Sequence, residues 1–390
     1  MMQRKKLINL LGYFLIFALT FSFIELFAYI SIKQLVGQRA KYLIYDPPKN
    51  RLEKYDDYMA QRHPLLGWPS PTAYGGKRFD ASGSRIVPAF PTLGNACVSL
   101  YGDSYTWSAE VDHEHAWGNV LSQLLGCRVA NYGVGGYGAD QAYLRFKHNE
   151  DEAPIVILTI FSADIRRHVN QLRMLLNGSK EIRSFKPRFI INNRDQLELV
   201  PLPTFSRTEF ENVFTDIKKH LPHEYFLPET FVGPRSTTFP YTIFILKSLA
   251  NKRIRTKLWS GLPSYAPFYS PNHPSQALQV TLKIVEHFVY DAIARGKYPH
   301  VFILPSGDGV NYYKEHNTWV YQPLIDRLEK RDIVIYNMGN AILQQIGKRD
   351  YCELTMYPTI CKGHYNEEGY ALLAKIVNQH LRGIHSDLGQ

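Results

Sequence analysis

The sequence predicts an α/β protein: a three-layer, doubly wound parallel sheet, preceded by a transmembrane helix and interrupted by an inserted cap. Three observations predict it. From residue 96 onward, short apolar runs alternate with amphipathic helical patterns, the sign of parallel strands joined by right-handed crossovers. An apolar stretch of about bilayer length opens the chain. The strand–helix rhythm breaks once, between the third and fourth strands, for far longer than a crossover needs.

The first element is the apolar stretch from Leu7 to Ile32, preceded by Arg4, Lys5 and Lys6. At about 1.5 Å rise per residue it crosses a hydrocarbon core of roughly 30 Å. No Ala-x-Ala cleavage pattern follows, so the stretch reads as a retained anchor rather than a cleaved signal. The basic flank favours a cytoplasmic N-terminus and an extracytoplasmic (periplasmic or cell-surface) domain, although Lys33, Arg39 and Lys41 make the asymmetry modest. Glu25 is costly inside such a helix and calls for snorkelling or a partner helix.

Residues 1–33 are thus the flank and anchor, 34–90 a Tyr-, Pro-, Gly- and Arg-rich linker that wraps the domain, and 91–390 the domain itself. Strands are expected at Ala96–Tyr101, Arg128–Tyr132, Ile155–Ile160, Val301–Leu304 and Ile333–Asn337, each short and apolar enough to be buried. Helices are expected at Trp117–Leu125, Ala139–Phe146, Gln276–Ala294, Tyr321–Lys330 and Glu368–Leu381, where apolar residues recur at three and four spacings. The cap is residues 165–274, placed to shape a cleft above the carboxyl ends of the strands. Asn177-Gly178-Ser179 within it is formally a glycosylation sequon.

The formal charge of +10 is spread along the chain without Lys/Arg blocks, zinc-finger spacing or an RNA-binding signature, so nucleic acid is not the expected partner. Four cysteines fit an oxidising compartment, with Cys97–Cys127 and Cys352–Cys361 as conceivable disulfides; buried thiols are the alternative. No Cys-x-x-Cys or matched His pair points to a metal, and no cofactor is implied.

Three segments carry candidate chemistry. The run Val98 to Tyr101 ends in Gly102-Asp103-Ser104, which puts a serine on a strand-to-helix turn with its own N–H free for an oxyanion. Asn131-Tyr132-Gly133-Val134-Gly135-Gly136-Tyr137-Gly138 closes the next strand, and its glycines let backbone amides approach a ligand. It lacks the Gly-Lys-Ser/Thr ending of a P-loop. Gly363-His364-Tyr365-Asn366 stands just before the last helix, where a base could face Ser104.

Together these segments resemble the SGNH/GDSL hydrolase family over roughly Ala96 to Arg382. The resemblance implies an SGNH/flavodoxin-like fold, Ser104 as nucleophile, His364 as base, and the Gly136 N–H joining that of Ser104 in the oxyanion hole. Asp103, Asn131, Asp164 and Asn170 are possible supporting residues. Two positions depart from the family pattern. Where members carry Gly-x-Asn-Asp, this chain reads Phe161-Ser162-Ala163-Asp164; where an Asp precedes the histidine, it reads Cys361-Lys362. Asn170, or an arginine of the Arg166, Arg167 and Arg173 cluster, is the substitute oxyanion donor this leaves, and those arginines could also bind substrate or form a solvated helix face. A backbone carbonyl, Asp164 or Glu353 is left to orient His364. With no acid at 361 or 362, the expectation is a Ser–His dyad with slow turnover.

Three functions follow. The first, implied by the resemblance together with the anchor, is an esterase or O-acyltransferase on acylated carbohydrate of a surface polysaccharide, beside a membrane acyl-donor protein. The second is a lipase or thioesterase on membrane lipid, its acyl pocket formed by the aromatic cap. The third is a glycan-binding scaffold that keeps the fold without the chemistry.

Overall fold

The computed structural model describes residues 2–37, 40–47, 52–71, 78–178 and 184–385. A helix from Met2 to Ser31 opens it and ends in a widened turn at Ile32–Val36. The helix containing the stretch Lys5–Gln34 has mean hydropathy 2.2 and is long and apolar enough to cross a membrane. Ser179 of the sequon and Arg39 lie outside the described residues.

Five parallel strands form the central sheet. In chain order they and the smaller strands are β1 (Val98–Tyr101), β2 (Val129–Asn131), β3 (Ile155–Phe161), β4 (Arg188–Ile191), β5 (Leu197–Val200), β6 (Tyr298–Leu304), β7 (Ile335–Asn337), β8 (Thr355–Tyr357) and β9 (Lys362–Tyr365). The sheet order is β2-β1-β3-β6-β7. β3, apolar except for Thr159, sits at the centre, paired with β1 on one side and β6 on the other. A strand buried on both faces can carry no alternation, which is why its sequence shows none. The edge strands β2 and β7 are only three residues long, which limits the unpaired edge.

Helices cover both faces. Trp117–Leu125 packs on Glu367–Ile384, which also meets Met338–Ile346, while Ala277–Ala294 packs on Ala139–His148 and Gln322–Glu329. All five expected strands and all five expected helices form, most with ends shifted by a residue or two; the helices Gly307–His316 and Met338–Ile346 are additional.

The 165–274 insert contains the β4–β5 hairpin and several short helices. Its apolar side chains do not form a core of their own. Leu172, Phe185, Phe210 and Phe226 belong to the same buried cluster as the strands, as do Tyr58 and Leu66 from the 34–90 segment. Cys97 bonds to Cys127 and Cys352 to Cys361. The first disulfide links the chain before β1 to that before β2; the second closes the β8–β9 hairpin. Ser104, the glycine turn and the residues after Phe161 therefore all leave the carboxyl ends of adjacent strands, the edge where open parallel sheets bind ligands.

Candidate active site

The turn after β1 is tight enough to require glycine. A Cβ on Gly102 would stand 1.9 Å from Thr106 Oγ1 and 2.9 Å from the Thr159 carbonyl oxygen. Asp103 then caps the one-turn helix Ser104–Trp107, its Oδ1 accepting the N–H of Tyr105 at 2.9 Å and of Thr106 at 3.3 Å. Ser104 is the first residue of that turn, where the N–H has no partner within the helix. Its side chain is held at the sheet edge and is 8% exposed.

His364 reaches it from β9. The Nε2 atom lies 2.8 Å from Ser104 Oγ, a hydrogen bond spanning 260 residues of sequence. Tyr105 fixes the imidazole from the nucleophile's side: its ring stands 4.9 Å from that of His364 and stacks on Phe161 at 4.1 Å, while its hydroxyl donates to the Gly363 carbonyl at 3.0 Å. The next link corrects the dyad expected from sequence. Glu110 Oε2 lies 3.2 Å from His364 Nδ1 and accepts the His364 main-chain N–H, also at 3.2 Å. The carboxylate sits off the line of the ring N–H, since Nδ1 makes no aligned hydrogen bond. A Ser104–His364–Glu110 constellation results, with the acid placed to hold and stabilise an imidazolium.

Glu110 follows a left-handed turn, with φ of 62° at Ser108 and 71° at Glu110 itself. Arg85, from the 34–90 segment, pins this loop. Its guanidinium donates to the carbonyls of Trp107, of Ser108 at 2.8 Å and of Val111 at 2.7 Å, and stacks on the Trp107 ring. The other two carboxylates considered for His364 are engaged elsewhere. Glu353 pairs with Arg349 at the surface, 3.1 Å away, and Asp164 pairs with Arg167.

Beneath the nucleophile lies a buried charge cluster. Arg167 Nη1 pairs with Asp164, lies 3.8 Å from Asp103 Oδ2 and donates to the Tyr137 carbonyl at 2.6 Å. Burial, with the Asp103 carboxyl adding to it, pushes Asp164 well above the usual carboxylate range. Arg173 donates to the Gly136 carbonyl, and burial lowers its pKa to about 9. Arg166 bonds the Ala163 carbonyl at 3.3 Å and Ser264 Oγ at 3.1 Å. The arginine cluster is thus neither a solvated face nor a set of free side chains reaching for substrate; it ties the glycine turn and the insert to the site.

Asn131 has a similar part, donating to the Thr106 carbonyl at 2.7 Å and accepting the Gly133 N–H at 2.9 Å. Gly136 adopts φ of 94°, which favours glycine, and the turn passes close to the nucleophile: a Cβ on neighbouring Gly135 would stand 4.0 Å from that of Ser104. Asn170 does not replace the missing oxyanion amide. Its amide nitrogen is buried against the Leu172 carbonyl and both oxygens of Glu224, which is itself held by the N–H groups of Gln171, Leu172 and Phe226. What the site can offer an oxyanion is main chain: the Ser104 N–H and the glycine turn beside it.

No family model and no curated protein matches the chain. Solved structures do resemble it. Its structural neighbours include G-D-S-L lipolytic proteins and esterases. A member of the lipolytic G-D-S-L family from Veillonella parvula is 12% identical with a TM-score of 0.33, over 75% of this chain and 98% of that one. The protein TesA is 12% identical with a TM-score of 0.35, over 73% and 98%. A two-domain esterase active on acetylated mannans is 10% identical with a TM-score of 0.33, over 75% of this chain and 50% of that one. Likeness this remote says nothing of chemistry, which rests on the distances above.

Proposed function

We propose that this chain is a membrane-anchored serine esterase or O-acyltransferase of the SGNH/GDSL type, working through an acyl-Ser104 intermediate. The observation that carries this reading is the 2.8 Å contact between Ser104 Oγ and His364 Nε2, with the Glu110 carboxylate at the other ring nitrogen. Ser104 attacks the ester carbonyl as His364 takes its proton, and Glu110 stabilises the imidazolium. The Ser104 N–H and that of Gly136 hold the negative oxygen of the tetrahedral intermediate. His364 then gives the proton to the departing alcohol, leaving the acyl group on Ser104. Water, or a second hydroxyl, enters by the reverse path and carries the acyl group away.

The ester is proposed to be an acyl group on carbohydrate of a surface polysaccharide. The anchor supports an extracytoplasmic site beside the membrane, and the openness of the base to solvent suits a sugar: the His364 and Glu110 side chains are 25% and 37% exposed. Full-length protein in detergent, treated with a fluorophosphonate probe, is expected to label at Ser104, with no label on Ser104→Ala and very little on His364→Ala. An unlabelled wild-type protein would sink the catalytic reading and favour a scaffold. Faster release of acetate from acetylated oligosaccharide than of long acyl chains from phospholipid supports the carbohydrate reading; the opposite order assigns the site to lipid.

A further inference from the structure

The insert touches the anchor at a depth that a soluble domain would not reach. Phe21 and Glu25 lie twelve and eight residues before Lys33, the first cation beyond the apolar stretch, so roughly 18 and 12 Å along the helix from it. The Phe239 ring meets that of Phe21 edge-on at 6.0 Å, and Tyr241 meets Tyr29 at 5.1 Å. Between these contacts Glu25 is only 4% exposed and accepts the N–H groups of Tyr241 and Thr242 and the Thr242 hydroxyl. The carboxylate that made the anchor costly is therefore satisfied by the first turn of the Tyr241–Leu249 helix, whose dipole favours a negative charge there.

That helix buries Phe244 and Ser248 against the protein and turns Ile243, Leu246 and Leu249 outward. With Phe239 just before it, at spacings of four, three and three, they form an exposed apolar strip, each side chain between 47% and 67% accessible, and Phe231 and Trp259 of the insert are exposed as well. Exposed cations border it at Lys247, Lys252 and Arg255, the last stacked on Trp259 at 5.1 Å. An apolar face, a tryptophan and a basic margin are the composition of an element lying in the interface of a bilayer.

We propose that residues 239–249 form a second, non-spanning membrane element, buried in the acyl region of the outer leaflet beside the anchor and seating the insert on the lipid surface. Its occupant is lipid rather than a second copy of the chain, because the strip is continuous with the lipid-facing surface of the anchor and joined to it through Glu25. The proposal rests on the anchor reading of the first helix, not on the catalytic one.

The test is photolabelling of the full-length protein in phosphatidylcholine vesicles that contain a diazirine-bearing acyl chain, with adducts mapped by mass spectrometry. Adducts are expected in 239–249 at a yield within about threefold of that in 21–31, and Phe239→Asp with Leu246→Asp should lower the 239–249 yield at least fivefold while leaving 7–31 labelled. Adducts confined to the anchor would overturn the proposal. If a bifunctional amine reagent joined two copies through Lys247 and no lipid adducts formed at 239–249, the proposal would be overturned in favour of a dimer. Loss of label from 7–31 as well would remove the anchor reading and this one together, and leave fluorophosphonate labelling of Ser104 untouched.

Discussion

At Glu110 the nucleophile's own loop supplies the acid that the sequence seemed to lack. Its carboxylate meets both the ring and the main chain of His364, so removing the charge while keeping the shape isolates its electrostatic part. Glu110→Gln is expected to lower kcat by about 10²-fold with KM nearly unchanged. That is less than the ~10⁴-fold of a fully buried triad acid, because Glu110 is partly solvated and sits off the N–H line. An unchanged kcat would return the site to a dyad. Ser104 and His364 were legible because each stands in a short motif beside a strand or helix boundary. Glu110 was not, because nothing local marks it: only two left-handed residues bring it round to the base, and φ cannot be read from Ser108 or Glu110. Asn170 misled for the related reason that its partner, Glu224, lies 54 residues away.

The elements that hold these residues make separable predictions. Arg85 bonds three carbonyls of the loop carrying Glu110, so Arg85→Met should lower kcat several-fold as well as the melting temperature, with partial rescue in Arg85→Lys. A fall in melting temperature alone would make Arg85 merely structural. The Cys352–Cys361 bond closes the hairpin that presents His364, with a sequence separation of 9; a cross-link over so short a loop contributes about 2–3 kcal/mol. Cys352→Ser with Cys361→Ser should therefore lower stability by that order while leaving fluorophosphonate labelling of the folded protein. His168 ties the glycine turn to the insert: its Nε2 accepts the Ala139 N–H at 3.0 Å and Nδ1 meets Thr281 Oγ1 at 2.6 Å. Burial lowers its pKa from 6.5 to about 4, so it is neutral when folded and more basic when unfolded. Its contribution is complete above pH 6.5 and declines as pH falls from 6.5 to 4, where unfolded chains bind the extra proton; the loss is about 3 kcal/mol. His168→Gln should be less stable at pH 7 and show a shallower drop in urea midpoint by pH 4.5, whereas parallel curves would exclude it as a source. The strands were readable because burial of most of their residues leaves short, mainly apolar runs without alternation. The insert was read only as an interruption, since its aromatic residues join a core built by segments far away in sequence.

For the whole molecule, the anchor and the disulfides bear independently on one topology. The first helix can span a bilayer, and its cationic flank, Lys5 and Lys6, resists translocation. Both disulfides lie on the far side of that helix in sequence, and all four cysteines are paired. Such bonds persist in an oxidising compartment and are rare where thiols are kept reduced. The topology we propose, with the N-terminus in the cytoplasm and the domain outside, is consistent with both. It also puts Lys33 and Lys41 at the outer surface, against the usual bias, so charge alone would not decide the matter. Thiol chemistry does. If cells are quenched with a small alkylating reagent and the denatured protein is then treated with a maleimide of high mass, the chain should not shift on a gel unless it is first reduced, after which all four cysteines should react. The protein should also stay with the membrane through a carbonate wash. Membrane-bound chains whose cysteines were all alkylated at the quench would place the domain in the reducing compartment, and the surface polysaccharide would then be out of its reach.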